Sequence, residues 1–217
     1  MDSRIRKVYS VLIKEFETRE LTMSEEVQKR WRDPFLVMVS AVLSARTRDS
    51  VTIKVMERFA EKIHKPEDLD MISENELRDL IYPVGFYRNK AANLKRLPGV
   101  LNTLFNGRVP ESIDDLLKLP GVGRKSANLI RSTAFSKPGI CVDTHVHRIM
   151  NRLGFVRTDT PLKTERSLRR RLDRDLWIAT NRVFVSFGQS VCTPVSPYCS
   201  LCPVSPFCRQ IGVARSR

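Results

Sequence analysis

Two groups of residues in this chain have types and spacings that support chemistry. The first is Leu116-Leu117-Lys118-Leu119-Pro120-Gly121-Val122-Gly123-Arg124-Lys125-Ser126-Ala127. Pro120 stops one helix, two glycines make a tight turn and a second helix starts near Arg124, so unpaired backbone N–H groups converge at one helix N-terminus. Such an end attracts anions, and a phosphate can approach closely because Gly121 and Gly123 carry no side chain. Val122 between them reads as the inward plug of the hairpin. Lys125 falls in the first turn of the second helix, where the helix dipole opposes a cation. Crowding by other positive groups or partial burial would further favour the neutral amine, which is a nucleophile. A plain phosphate contact is the other reading of the same lysine. Eighteen positions on, Asp143 opens a helix in Val142-Asp143-Thr144-His145-Val146-His147-Arg148. Its carboxylate can cap that helix, and it can also stabilise developing positive charge or handle protons during amine attack.

The second group is Cys192, Cys199, Cys202 and Cys208, a C-x6-C-x2-C-x5-C array. Four thiols this close, without an export signal, indicate a metal centre rather than disulfides. Thiolates suit zinc or an iron–sulfur cluster; one C-x2-C pair flanked by single cysteines favours the cluster, because structural zinc usually takes two close pairs. Pro194, Pro197, Pro203 and Pro206 suggest a loop without regular structure held by that metal. Cys141 stands apart and reads as a small buried hydrophobe.

The elements that must position these groups are helical almost throughout. Ile5, Val8, Leu12, Ile13 and Phe16 recur at helical spacing and make one apolar face. Asp33-Pro34 reads as an N-cap followed by proline at the first helical position, opening a buried helix over the apolar run Phe35 to Ala45. Asp49 is placed to cap the next helix, whose inner face carries Val55, Met56, Phe59 and Ile63. Ser73 with Glu76 forms a capping box, and Ser112 with Asp115 a looser one. Further helices are expected from about Asn89, Arg124, Asp143, Leu162 and Asp175, and sustained period-two alternation is missing, so little or no sheet is expected. Lys90-Ala91-Ala92-Asn93-Leu94 echoes Lys125-Ser126-Ala127-Asn128-Leu129, each after a glycine turn, as a duplicated helix-turn-helix unit would.

Composition narrows the partner. Lys and Arg number 38 against 24 Asp and Glu, a formal charge of +14 over 217 residues. A chain of this length is enough for one or two cored domains. Such an excess repels itself in a compact state, and a polyanion is a physical reason to keep it. Nucleic acid leads over an anionic membrane surface, since the opening residues offer neither a basic amphipathic anchor nor a lipidation signal. No apolar stretch approaches the ~20 residues of a membrane span. Without a secretory or transit pattern, the expected location is the cytoplasm, associated with the nucleoid as in prokaryotes. His145 and His147, two apart, cannot form an i, i+4 zinc pair and read as packing or DNA-edge residues. Arg148, Arg152, Arg166, Arg169, Arg170, Arg171 and Arg174 divide between phosphate contacts and a solvated helix face.

Taken together, the hairpin lysine, the downstream aspartate and the cysteine array resemble the endonuclease III family of helix-hairpin-helix DNA glycosylases. The resemblance covers nearly the whole chain, including Leu43-Ser44-Ala45 and Gly85-Phe86-Tyr87-Arg88-Asn89-Lys90-Ala91. It implies an all-α fold of two helical domains flanking a DNA cleft: 27–137 with the hairpin, and 1–26 plus 138–217 with a 4Fe-4S cluster loop at 188–210, ligated by Cys192, Cys199, Cys202 and Cys208. It implies a monomer that acts on double-stranded DNA containing damaged bases or abasic sites. Oxidised pyrimidines would be excised from a flipped-out nucleotide, with Lys125 forming a Schiff base at C1′, Asp143 assisting, and β-elimination cutting 3′ to the lesion. Ser44, Arg46, Phe86, Gly121, Val122, Gly123, Arg124 and His145 would meet DNA. Lys125 argues against the adenine-mismatch branch, which as a rule lacks it. Two positions depart from the commoner family pattern: Arg46 stands where many relatives have glutamine, and Phe86 where they have leucine. Arginine can bond bidentately to an orphan guanine and phenylalanine can wedge between bases. These departures keep a mismatch- or uracil/thymine-directed glycosylase of the same fold open as an alternative. A non-catalytic DNA-binding protein with a redox cluster is the other.

Overall fold

A computed structural model describes residues 3–16 and 23–217. The chain divides into two compact units, Leu21–Lys137 and Met1–Glu20 with Pro138–Arg217. Regular structure among the described residues is helical, with no strand: α1 (Ser3–Phe16), α2 (Met23–Trp31), α3 (Pro34–Ser44), α4 (Asp49–Lys62), α5 (Glu74–Ile81), α6 (Tyr87–Phe105), α7 (Ile113–Leu116), α8 (Arg124–Phe135), α9 (Thr144–Arg152), α10 (Pro161–Arg171) and α11 (Trp177–Ser190), with short 3-10 turns between some of them.

In the first unit α3 is the central helix. Phe35 to Leu43 are all buried, because the run is apolar on every side and α2, α4, α6 and α8 surround it. Its start follows the sequence: the Asp33 carboxylate accepts the Phe35 N–H at 2.7 Å ahead of Pro34. α2, which the hydrophobic spacing did not reveal, contributes Met23 and Val27 to this core. The boundary expected at 27 would cut through α2, so the helix packs as a whole with the unit that starts at Leu21. Arg48, not Asp49, occupies the N-cap of α4, and Asp49 is its first helical residue, where its charge complements the helix dipole. The Ser73–Glu76 capping box is formed in both directions, with Ser73 N–H to Glu76 at 2.8 Å and Glu76 N–H to Ser73 Oγ at 3.2 Å. Ser112 accepts the Asp115 N–H at 3.0 Å, but α7 behind it is a single turn.

In the second unit α1 lays Ile5, Val8, Tyr9, Leu12 and Phe16 against α11, with Ile13 at the margin. Tyr9 meets Phe184 edge-on at 5.1 Å and Phe16 meets Phe187 at 5.6 Å. The buried Tyr9 hydroxyl is satisfied by Thr180 Oγ1 at 2.7 Å, as an aromatic with a polar tip requires in a core. Cys141 is buried here. No described helix is long and apolar enough to cross a membrane.

Candidate functional site

The hairpin joins α7 to α8. Leu119 and Val122 point into the core of their unit, and the Val122 N–H donates to the Leu119 carbonyl at 3.2 Å, closing the turn. Gly121 has φ +80, in the left-handed region, and a Cβ there would lie 3.2 Å from Asn93 Nδ2 and 3.3 Å from Val42 Cγ1. Glycine is therefore required twice over, by conformation and by space. Gly123 is the N-cap of α8, and no side chain caps the helix start. A Cβ built on Gly123 would meet no heavy atom within 4 Å, so the turn is open on that side. The first N–H groups of a helix have no intrahelical partner, and an uncapped, open start suits an anion. Lys125 is the second residue of α8 and is exposed. The partial burial that the sequence allowed for is therefore absent, and the half-buried Arg124 is its neighbour in the chain.

Asp143 is the N-cap of α9. Its Oδ1 accepts the N–H groups of His145 and Val146, both at 2.9 Å, so the cap engages one of its two carboxylate oxygens. His145 packs against α11: a Cβ on Gly188 would stand 2.6 Å from its Nδ1, and Arg148 lies 3.2 Å from that same nitrogen. His147 is bonded to Thr164 Oγ1 at 2.7 Å, on α10. Both rings serve packing in this arrangement.

Arg46 and Phe86 are brought together. Both are exposed, Phe86 at 59%, and the Arg46 guanidinium lies over the Phe86 ring at 5.3 Å. Both have positive φ, 56 and 57, in residues that are not glycine. Backbone strain of this kind, of order 1–3 kcal/mol per residue, persists only where the surroundings over-determine it. Ser44 is half-buried and its hydroxyl donates to the Ala41 carbonyl at 3.2 Å. The residue that sequence reasoning missed is Lys90. It is buried, and its ammonium donates to the carbonyls of Leu43 and Ala45 at 2.7 Å each and to Thr47 Oγ1 at 3.2 Å. The internal echo was the available signal, since it aligns Lys90 with Lys125. The two differ in depth: Lys125 is the second residue of its helix and Lys90 the fourth, which turns the latter toward the core.

The four cysteines of the tail line one small cavity of about 20 Å³ together with Ile149, Leu153, Phe187 and Val204. Among the described residues, no three His, Cys, Asp or Glu side chains form a ligand set for a single metal ion. Burial, and then the neighbouring thiols, raise the Cys202 pKa to about 11 and push Cys208 up as well. A thiolate set in this apolar wall therefore calls for a cationic partner. Part of the loop is regular after all, with 3-10 turns at Cys199–Leu201 and Ser205–Phe207. Proline at the start of such a turn supplies its fixed φ without losing a needed donor, which is how Pro206 fits inside the second one.

Arg148 and Arg152 turn toward the cysteine loop, the first half-buried and the second buried. Arg152 is buried and donates to the carbonyls of Thr193 at 2.7 Å and Pro194 at 2.5 Å, with Cys192 Sγ at 3.4 Å. Arg148 donates to the carbonyls of Gly188 at 3.0 Å and Cys192 at 2.8 Å. These two arginines of α9 hold the cysteine loop by its backbone, while Arg166, Arg170, Arg171 and Arg174 are exposed.

Comparison with known proteins agrees with this architecture. The HhH-GPD superfamily of base excision DNA repair proteins matches residues 39–174. Endonuclease III of Thermotoga maritima is 43% identical over 206 residues, 90% of this chain and 97% of that protein. Endonuclease III of Bacillus subtilis is 39% identical over 179 residues, 82% of each chain. A solved structure of a trapped endonuclease III–DNA covalent intermediate superposes with a TM-score of 0.85 at 38% identity, covering 97% of this chain and 96% of that one. With a lysine-bearing hairpin of this form and similarity over nearly its whole length, the chain belongs to the endonuclease III family within the HhH-GPD superfamily of base excision DNA repair proteins.

Proposed function

We propose that the protein excises oxidised pyrimidines from duplex DNA and cuts the strand at the resulting site, with Lys125 as nucleophile and Asp143 as its carboxylate partner. The observation that carries the assignment is an exposed lysine in the first turn of an uncapped helix, beside a glycine turn open to an approaching backbone. The backbone N–H groups there bind a phosphate, which places the amine near the neighbouring sugar. The Lys125 lone pair attacks C1′, the bond from C1′ to the base breaks, and the base leaves with a proton. Loss of the amine proton and opening of the sugar give a Schiff base. Removal of a C2′ proton then sends its electron pair toward C3′, and the 3′ phosphate departs with the strand. Asp143 stabilises charge at C1′ and carries protons in these steps.

Arg46 and Phe86 enter the duplex where the nucleotide has been flipped out, the ring replacing lost stacking and the guanidinium meeting the orphan base. Cys192, Cys199, Cys202 and Cys208 hold a 4Fe-4S cluster, which supplies a structural cross-link to the segment 188–210. The half-buried thiols, their apolar wall and the Arg152 contact to Cys192 Sγ suit that group.

The decisive experiment is borohydride trapping on duplexes carrying thymine glycol or an abasic site. The wild type is expected to leave a covalent adduct and Lys125→Gln none. An adduct that persists in Lys125→Gln, or its absence from the wild type, overturns the assignment. Base release without an adduct would favour a monofunctional glycosylase on this scaffold.

A further inference from the structure

Lys90 joins two segments that the sequence places forty residues apart. Its ammonium closes the C-terminal end of α3 by bonding the Leu43 and Ala45 carbonyls, where a cation also suits the helix dipole. That much is a helix cap. The third partner, Thr47 Oγ1, adds something a cap does not need, because the same oxygen accepts the Gly85 N–H at 3.1 Å. Thr47 thereby ties the segment after α3 to the segment before α6. Their backbones touch: a Cβ on Gly85 would stand 2.5 Å from the Arg46 carbonyl oxygen, so no other residue fits there unless the two segments part. Arg46, whose carbonyl makes that contact, and Phe86, the residue after Gly85, are stacked on one another and both in the left-handed region.

We propose that Lys90 is a positioning residue that locks Arg46 and Phe86 into one two-residue wedge, and that this lock is what lets the protein discriminate the base opposite the lesion. The inference rests on the insertion role given to Arg46 and Phe86 above. An arginine on a free loop would reach any acceptor in the opened duplex. Held over the Phe86 ring, its guanidinium has one plane and one direction, as bidentate bonding to O6 and N7 of guanine demands. Ordering the wedge before binding also avoids the entropy of fixing a long side chain on the DNA. Lys90 touches neither DNA nor the reacting sugar and acts only through the Ala45–Thr47 segment.

The test uses the full-length protein with Lys90→Met and, because loss of a buried ammonium can unsettle the fold, also Thr47→Val. The valine removes the link to Gly85 and leaves both carbonyl contacts of Lys90 in place. Nicking is measured on an abasic site opposite each of the four bases, and on a single-stranded abasic oligonucleotide, which has no opposite base. A 2-aminopurine beside the orphan base reports unstacking when the wedge enters. The wild type is expected to favour guanine by roughly 5-fold or more. Both variants should fall to within about 2-fold across the four bases, with a smaller 2-aminopurine rise and single-strand nicking unchanged. Full discrimination retained in both variants overturns the lock, as does a proportional loss on every substrate including the single strand. Wild type inactive on the single strand and on all four duplexes would instead count against the catalytic role of Lys125.

Discussion

At the scale of single residues, Asp143 carries two tasks that can be separated. It caps α9 through Oδ1, and it is proposed to serve the chemistry as a charge. Asparagine caps a helix about as well as aspartate, whereas alanine loses about 1 kcal/mol. Asp143→Asn should therefore melt with the wild type while its rate of adduct formation falls about 100-fold or more, the usual range for a positioned acid or base. Asp143→Ala should lose both stability and rate. Thermal unfolding paired with single-turnover trapping distinguishes these outcomes, and an active Asp143→Asn would reduce the residue to a cap. Lys125 and Asp143 stand out in the sequence because helix starts announce themselves through glycine, proline and short polar residues. Lys90 is marked only by its echo of Lys125: its partners at Leu43, Ala45 and Thr47 are remote in sequence, and no local spacing says that its ammonium satisfies their oxygens.

Single elements show where local rules hold and where packing overrides them. The α5 start is a local construction in which the Ser73 N–H and then its hydroxyl hold the Glu76 carboxylate below the usual glutamate range. A depressed carboxyl binds fewer protons folded than unfolded, so its contribution is fully present above about pH 4.3 and fades as pH falls through the folded value. Wild type and Glu76→Gln should accordingly differ most in melting temperature near pH 6 and converge toward pH 3. A gap that stays constant with pH would mean that the carboxylate charge is not involved. α2 is the counter-example. Its nine residues are polar overall, with Met23 and Val27 supplying the core contacts, so its helix is decided by the groove it fills rather than by a strong apolar stripe. α9 is a second case: Arg148 and Arg152 read as candidates for solvent or phosphate, yet their forks turn inward to backbone carbonyls of the cysteine loop. Arginine can do this because its planar donors match several acceptors at once.

For the whole molecule the net charge of +14 is the governing quantity. Counterions released from DNA by phosphate contacts make the logarithm of affinity fall linearly with the logarithm of salt concentration. With six or more such contacts, binding to an undamaged duplex should weaken about 1,000-fold between 50 and 200 mM salt. Fluorescence anisotropy across that range checks it, and a flat profile would separate the charge from DNA binding. The candidates for those contacts exclude Arg148 and Arg152, which are engaged with the protein's own backbone, and include exposed Arg46, Arg166 and Arg170.

The amino-acid order alone determined the helical class, most helix starts, the phosphate-ready hairpin with its lysine, and the cysteine array, because each depends on residues within a few positions of one another. Tertiary structure decided that α2 belongs to the hairpin's unit, that two arginines hold the cysteine loop, that both histidines pack, and that Arg46 rests on Phe86 above a buried lysine. Those outcomes depend on which carbonyls and rings the folded chain brings within about 3 to 5 Å, and no local spacing encodes that distance.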